Sequence, residues 1–350
     1  MKVGGMFCLE STQGEVQDFP GSLEGDLRFF MSGRCGIYYS LLDLKQRDEK
    51  LKAYLPAYTC ETVIDSYVKA GYSLRFYDVS PELLTPVFDE AAIPDISVLN
   101  LCGYYGFSSY SRDFVRKCSD SGAAVLHDIT HSVFSSDGID GHAAYAAGSL
   151  RKWMGIPSGG IAVKRRGQFT LPTLPPEEEH IAGRIACFET REKVLKGEPG
   201  ATEEAVGDIF WKTELRLRRM FDVFESDETS KEIIAHYPYR DAIAKRRENF
   251  RAVLERNPFS SSLRPVFPDL PEGVCPSHFP LYAEDRDRAQ EILGRRGIKS
   301  TVYWPVPPHL DPADYPGAEY IYAHILSVPV DQRYSREEMD YLCDAIAAAG

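Results

Sequence analysis

The rhythm of the first 165 residues constrains this chain most. There, short apolar runs alternate with segments of helical spacing. Residues 52–58 (KAYLPAY) have the pattern of a strand and turn, and residues 61–72 (ETVIDSYVKAGY) that of a helix stopped by Gly71. Residues 73–80 (SLRFYDVS), 96–106 (ISVLNLCGYYG) and 123–128 (AAVLHD) read as strands. Between the last two, YSRDFVRKCSDSG reads as a crossover helix ended by Gly122. Strands that alternate with helices pair in parallel through crossovers, so this stretch predicts an α/β layered domain.

The remainder changes character twice. From about residue 175 to 257 the chain is helical and highly charged. Then HFPLYAED reads as a strand, RDRAQEILGRRG as a helix, IKSTVYW as a strand, and SREEMDYLCDAIAAAG as a final helix. This tail predicts a smaller α+β unit. We place the division between a large domain, 1–235, and a small one, 236–350; 350 residues suffice for two cores. A net charge of −12 argues against a nucleic-acid binder. No apolar run is long enough to span a bilayer, and MKVGGMFCLE lacks the apolar core of a signal peptide, which predicts a cytoplasmic protein. Eight cysteines are scattered without a CxxC pair or a metal-like His/Cys spacing, so reduced thiols and no metal site are expected.

Three places carry candidate chemistry. Asp128 ends a strand, and ligands of open α/β sheets bind outside the carboxyl ends of strands; a helix-capping role is the plain alternative. SGRCG, residues 32–36, leads into a helix. Its glycines allow close approach of an anion to the helix N-terminus, and Arg34 adds charge. The third is AGSLRKWMGIPSGG, residues 147–160, where Lys152 follows Ser149 and precedes a glycine-rich turn. Desolvation or a neighbouring cation such as Arg151 lowers a lysine's pKa and makes it a nucleophile; the alternative is an exposed loop lysine. Ser149 and Lys152 also fit the Ser-x-x-Lys of penicillin-binding enzymes, but the Ser-Asp-Asn and Lys-Thr-Gly which that chemistry needs do not occur. An anion loop, a strand-end aspartate and a lysine are what pyridoxal 5′-phosphate requires.

With these residues in place, the chain resembles the DegT/DnrJ/EryC1/StrS family of pyridoxal-phosphate sugar aminotransferases. Ser32-Gly33-Arg34 is similar to the family's Ser-Gly-Thr loop, and Pro56-Ala57-Tyr58-Thr59-Cys60 to its Pro-x-x-Thr-aromatic stretch. Asp128-Ile129-Thr130-His131 is similar to its Asp-Ala-Ala-Gln step, and residues 149–160 to its lysine segment. HFPLYAED, RGIKSTVYWPVPPHL and AEYIYAHILSVPVDQRYSREEMDYL complete the likeness, which covers roughly residues 25–345. The resemblance implies a three-layer α/β/α fold, fold type I, with a smaller C-terminal α+β domain. It implies Lys152 as the Schiff-base lysine, Asp128 as partner of the pyridinium nitrogen, and His131 near the ring's 3′-oxygen. Gly33, Arg34, Cys35 and Ser149 would hold the phosphate, with Cys60 and Tyr58 at the ring. Tyr105, Tyr303 and His309 would reach substrate. It further implies an amino-acid donor, glutamate in relatives, a nucleotide-linked keto-sugar acceptor, and a homodimer.

Four departures stand out. Cys60 replaces the stacking aromatic, Arg34 a small hydroxyl residue, and Tyr303-Trp304 a His-Tyr pair; nothing matches the family's Gly-x-Asn-x-Arg stretch. Two other readings stay open: a lyase or dehydratase on the same fold, and a non-catalytic relative that binds the cofactor or a sugar nucleotide.

Overall fold

The structure is a computed structural model that describes residues 1–19 and 23–350. Eleven strands are found among the described residues: β1 (Asp26–Phe30), β2 (Lys52–Pro56), β3 (Ser73–Ser80), β4 (Thr85–Val87), β5 (Val98–Cys102), β6 (Ala124–Asp128), β7 (Tyr145–Ser149), β8 (Gly160–Lys164), β9 (Leu263–Pro265), β10 (Phe279–Ala283) and β11 (Ile325–Val328). The helices are α1 (Gly33–Lys45), α2 (Glu61–Ala70), α3 (Arg112–Asp120), α4 (Glu178–Lys196), α5 (Glu203–Met220), α6 (Glu228–His236), α7 (Tyr239–Arg256), α8 (Arg286–Arg295), α9 (Pro316–His324) and α10 (Arg336–Ala349).

The first eight strands form one sheet in the order β1-β8-β7-β6-β5-β2-β3-β4. Its middle is parallel as expected: β3 on β2, β2 on β5, β5 on β6, β6 on β7. Both margins are antiparallel, with β8 between β7 and β1 on one side and β4 beside β3 on the other. All five residues of β5 are buried, as a strand covered on both faces requires. Side chains alternate between the two cores: Val98 and Leu126 face α1 and α2, while Leu99, Leu101 and Val125 face the side covered by Phe114 of α3. The result is the three-layer arrangement.

β9, β10 and β11 form a second, antiparallel sheet, continuous with the larger core through the stacked rings of Phe107 and Phe267, 3.8 Å apart. One expected element is absent. Residues 298–304 make no strand; Ile298 bridges to Val3 and Thr301 to Ser327. The two contacts have different partners, and prolines at 305, 307 and 308 remove the donors that would extend either ladder. All eight cysteines carry free thiols. No described helix is long and apolar enough to cross a membrane, and no metal-binding cluster occurs among the described residues.

Candidate active site

The parallel strands deliver their carboxyl ends to one edge of the sheet. β6 ends on Asp128, and its neighbour β7 ends on Ser149. A single 3-10 turn, Leu150–Lys152, carries the lysine back across that edge. Opposite stands the N-terminus of α1. Ser32 caps it, accepting from the Cys35 N–H, which leaves the N–H groups of Gly33 and Arg34 without an intrahelical partner. Two glycines make this approach possible. A Cβ at residue 33 would lie 3.0 Å from the Ser149 Cβ, and one at residue 160 would lie 2.0 Å from the Ser32 carbonyl oxygen. The double glycine after the lysine therefore lets β8 pass beneath the helix start. The Ser149 hydroxyl makes no capping bond. First-turn N–H groups and a free hydroxyl beside them form an anion cradle.

Asp128 is 5 % exposed. Its Oδ1 accepts from the Thr130 N–H at 3.0 Å and the Thr130 hydroxyl at 2.6 Å, leaving Oδ2 for another donor. Burial raises its pKa above the usual carboxylate value, and the Thr130 bonds only partly offset this. A carboxylate so placed gains from a cationic partner.

Lys152 turns away from Arg151. The arginine pairs with Glu214 at 2.9 Å, whereas the lysine Nζ sits 4.8 Å from the centre of the Tyr303 ring. The cation expected to tune the lysine is thus directed elsewhere, because adjacent residues in a turn diverge. The lysine's neighbours are His131 and His278. Burial, with the Lys152 ammonium beside it, holds His131 well below the ordinary histidine pKa, and burial takes His278 down to about 3. Both are neutral at pH 7. His131 is 2 % exposed and neither ring nitrogen has a partner. It packs between Tyr105, Tyr303 and Trp304, whose ring lies 5.6 Å away and nearly parallel.

The other expected residues are placed as follows. Cys35 is buried with its Sγ 3.1 Å from the Ser32 hydroxyl. Cys60 is the N-cap of α2 and contacts the Thr62 hydroxyl. Tyr58 is fully buried; its hydroxyl donates to the Tyr303 carbonyl and its ring packs against Tyr104, Trp304 and Tyr322. His309 stands apart from the ring cluster, 3.6 Å from Asp65.

From sequence Trp153 was readable only as a pocket-lining or plain core aromatic, and Arg246 and Gln332 were not singled out. Trp153 is fully buried, and its indole N–H donates to the Thr130 carbonyl at 2.8 Å, tying the lysine turn to the aspartate turn. Its own carbonyl accepts from Arg246 and Gln332, and the Arg246 guanidinium lies 4.7 Å from its ring. The lysine turn is therefore clamped by α7 and by the segment after β11. A charged residue on the apolar stripe of α7, Arg246 between Ala242 and Phe250, was the available signal.

No family model matches the chain. A stretch of 79 residues is 32% identical to the erythromycin biosynthesis sensory transduction protein EryC1 of Saccharopolyspora erythraea, covering 20% of this chain and 22% of that protein. A stretch of the same length is 27% identical to a dTDP-3-amino-3,6-dideoxy-alpha-D-galactopyranose transaminase of Aneurinibacillus thermoaerophilus, over 21% of this chain and 22% of that one. The match thus spans about a fifth of the length of either curated relative. Among solved structures, PseC of Helicobacter pylori, an aminotransferase involved in the biosynthesis of pseudoaminic acid, aligns with a TM-score of 0.67 at 12% identity. It covers 93% of this chain and 87% of PseC. A DegT DnrJ EryC1 StrS aminotransferase from Brucella abortus aligns with a TM-score of 0.65 at 16% identity, over 92% and 85%. These likenesses establish the fold.

Proposed function

We propose that this chain, a divergent relative of the DegT/DnrJ/EryC1/StrS proteins, is a pyridoxal-phosphate-dependent aminotransferase. It would pass an amino group from an amino acid, with glutamate as the proposed donor, to a keto-sugar, with a nucleotide-linked sugar as the proposed acceptor. The observation that carries this reading is the meeting, on one sheet edge, of Lys152, the buried Asp128 and the N-terminus of α1.

The residues fit the cofactor. Its phosphate would take the cradle of Gly33, Arg34, Cys35 and Ser149. Its ring nitrogen would take the unused Oδ2 of Asp128. The unpartnered His131 offers a ring nitrogen to the cofactor's hydroxyl. Tyr58 and Cys60 line the approach, and Tyr105, Tyr303 and His309 are proposed to meet substrate. When bound, the cofactor supplies an electron sink for the carbanion left as an amino acid loses its α-proton.

The chain's own residues do the rest. Lys152 would be the residue that holds the cofactor through its Nζ, and its free amine would move the substrate's α-proton. Asp128 would favour a protonated ring nitrogen, since a buried carboxylate is most stable beside a cation. Trp153 fixes both turns, so the amine and the carboxylate hold their relative position. The reading includes a division into domains 1–235 and 236–350, a homodimer and a cytoplasmic location.

The test is the absorption spectrum of the protein with pyridoxal phosphate, before and after excess glutamate. A yellow band bleached by glutamate is expected, and Lys152→Ala should lose it. A band that glutamate leaves unchanged points to a lyase or another donor. No band at all removes the enzyme reading.

A further inference from the structure

Next to the α1 N-terminus lies a group of charges of which the proposed reaction uses only Arg34. Arg34 of α1, Arg151 of the lysine turn and Arg184 of α4 converge on one carboxylate, Glu214 of α5, at 3.9, 2.9 and 3.4 Å. Arg34 and Arg184 are only 8% and 4% exposed. Three guanidiniums against one carboxylate leave two positive charges. His180 beside them adds none, because burial with Arg151 and Arg184 brings it down to about 4. The next carboxylate, Asp65, faces His309 as well as Arg34. Donors are also left over: Arg34 Nη1, Arg151 Nε and Nη1, and Arg184 Nε are buried without a partner. Phe221 and Phe210 wall the arginines in, 5.7 and 4.9 Å from Arg34 and Arg184.

Uncompensated buried charge is unfavourable, and unpaired buried donors add to the cost. A compact dianion with several acceptor oxygens would settle both at once, and guanidinium forks suit phosphate geometry. Arg34 adjoins Gly33, and Arg151 lies two residues beyond Ser149, so the cluster borders the cradle.

We infer that Arg34, Arg151 and Arg184, set around Glu214, form a buried seat for a phosphoryl dianion. Glu214 holds the three side chains in place when the seat is empty. As an extension of the cradle the seat rests on the aminotransferase reading; as an anion site it stands without it.

The experiment is a calorimetric titration of cofactor-free protein with inorganic phosphate at constant ionic strength. Saturable one-to-one binding is expected. Arg151→Gln should weaken it about tenfold, the loss of one charged hydrogen bond. Glu214→Gln, which removes the competing charge but keeps the shape, should tighten it by about the same factor. If Arg151→Gln fails to fold, Glu214→Gln decides. No saturable binding, or the same affinity in parent and variants, overturns the seat.

A parallel titration of protein loaded with pyridoxal phosphate identifies the source. Abolished phosphate binding makes the seated group the cofactor's own phosphate. Retained binding makes it a separate phosphoryl group, such as that of a sugar nucleotide. Both outcomes keep the seat. A protein that binds phosphate at the cluster but never turns yellow keeps the seat and loses the aminotransferase. A yellow protein without saturable phosphate binding does the reverse.

Discussion

Asp128 was visible in the sequence because it ends a strand pattern, where an α/β sheet presents ligands, and Lys152 because it follows Ser149 and precedes a glycine-rich turn. Their surroundings were visible only in part, through the resemblance that offered His131 and Tyr303; His278 was not. His278, Tyr303 and Trp304 come from the far end of the chain, and only folding brings them over the lysine. Asp128→Asn keeps the side chain's size and its Thr130 bonds but removes the charge. It should bind pyridoxal phosphate yet turn over at least about a hundredfold more slowly; stopped-flow traces of the glutamate half-reaction would measure this. Full activity in that variant would assign the ring nitrogen to another acid. His131→Gln, which keeps a donor, should retain more activity than His131→Leu, a comparison of kcat that separates hydrogen bonding from packing.

The glycines of the elements have a plain mechanical meaning. Gly160 starts β8 under the Ser32 carbonyl, with no room for a methyl group. Gly160→Ala should push α1 off the sheet edge and cost on the order of 1–3 kcal/mol in urea unfolding, as overpacking does, with weakened cofactor retention. An unchanged midpoint would mean that the helix start can shift freely. At the other end of the chain, Ser335 and Glu338 form a reciprocal capping box on α10. Ser335→Ala should cost about 1 kcal/mol without touching the site, which makes it the control. The one misread element, residues 298–304, had an acceptable strand pattern. A strand needs a continuous partner edge, and this segment found only one bridge on each of two neighbours.

For the whole molecule the buried titratable groups set the response to pH. Burial takes His127 and His180 to about 4 and His278 to about 3, and holds His131 well below its ordinary value. The unfolded chain takes up these protons near pH 6.5, the folded protein only far below. Stability is therefore complete above about pH 6.5 and falls as pH drops toward 4, by up to about 1.4 kcal/mol per pH unit for each histidine. Glu214 adds to the loss at lower pH. Burial would raise it, but the three arginines hold it down to about 2, so its contribution disappears between its ordinary value of 4.5 and that point. The thermal unfolding midpoint of the cofactor-free protein, measured from pH 7.5 to 4, should fall steadily. A flat profile would mean that the histidines are protonated in the fold.

The sequence by itself determined the layered α/β architecture, four strands of its parallel centre (β2, β3, β5 and β6) and the positions of the lysine and the aspartate. These follow from apolar spacing and from glycine and strand-end chemistry, which act over a few residues. The tertiary structure alone decided the antiparallel margins of the sheet, because β1 and β8 meet only across the folded chain. It also decided that Arg151 leaves the lysine for Glu214. The pairing of three arginines with one glutamate joins four separate elements, and no local pattern in a single sequence records which buried charges will meet.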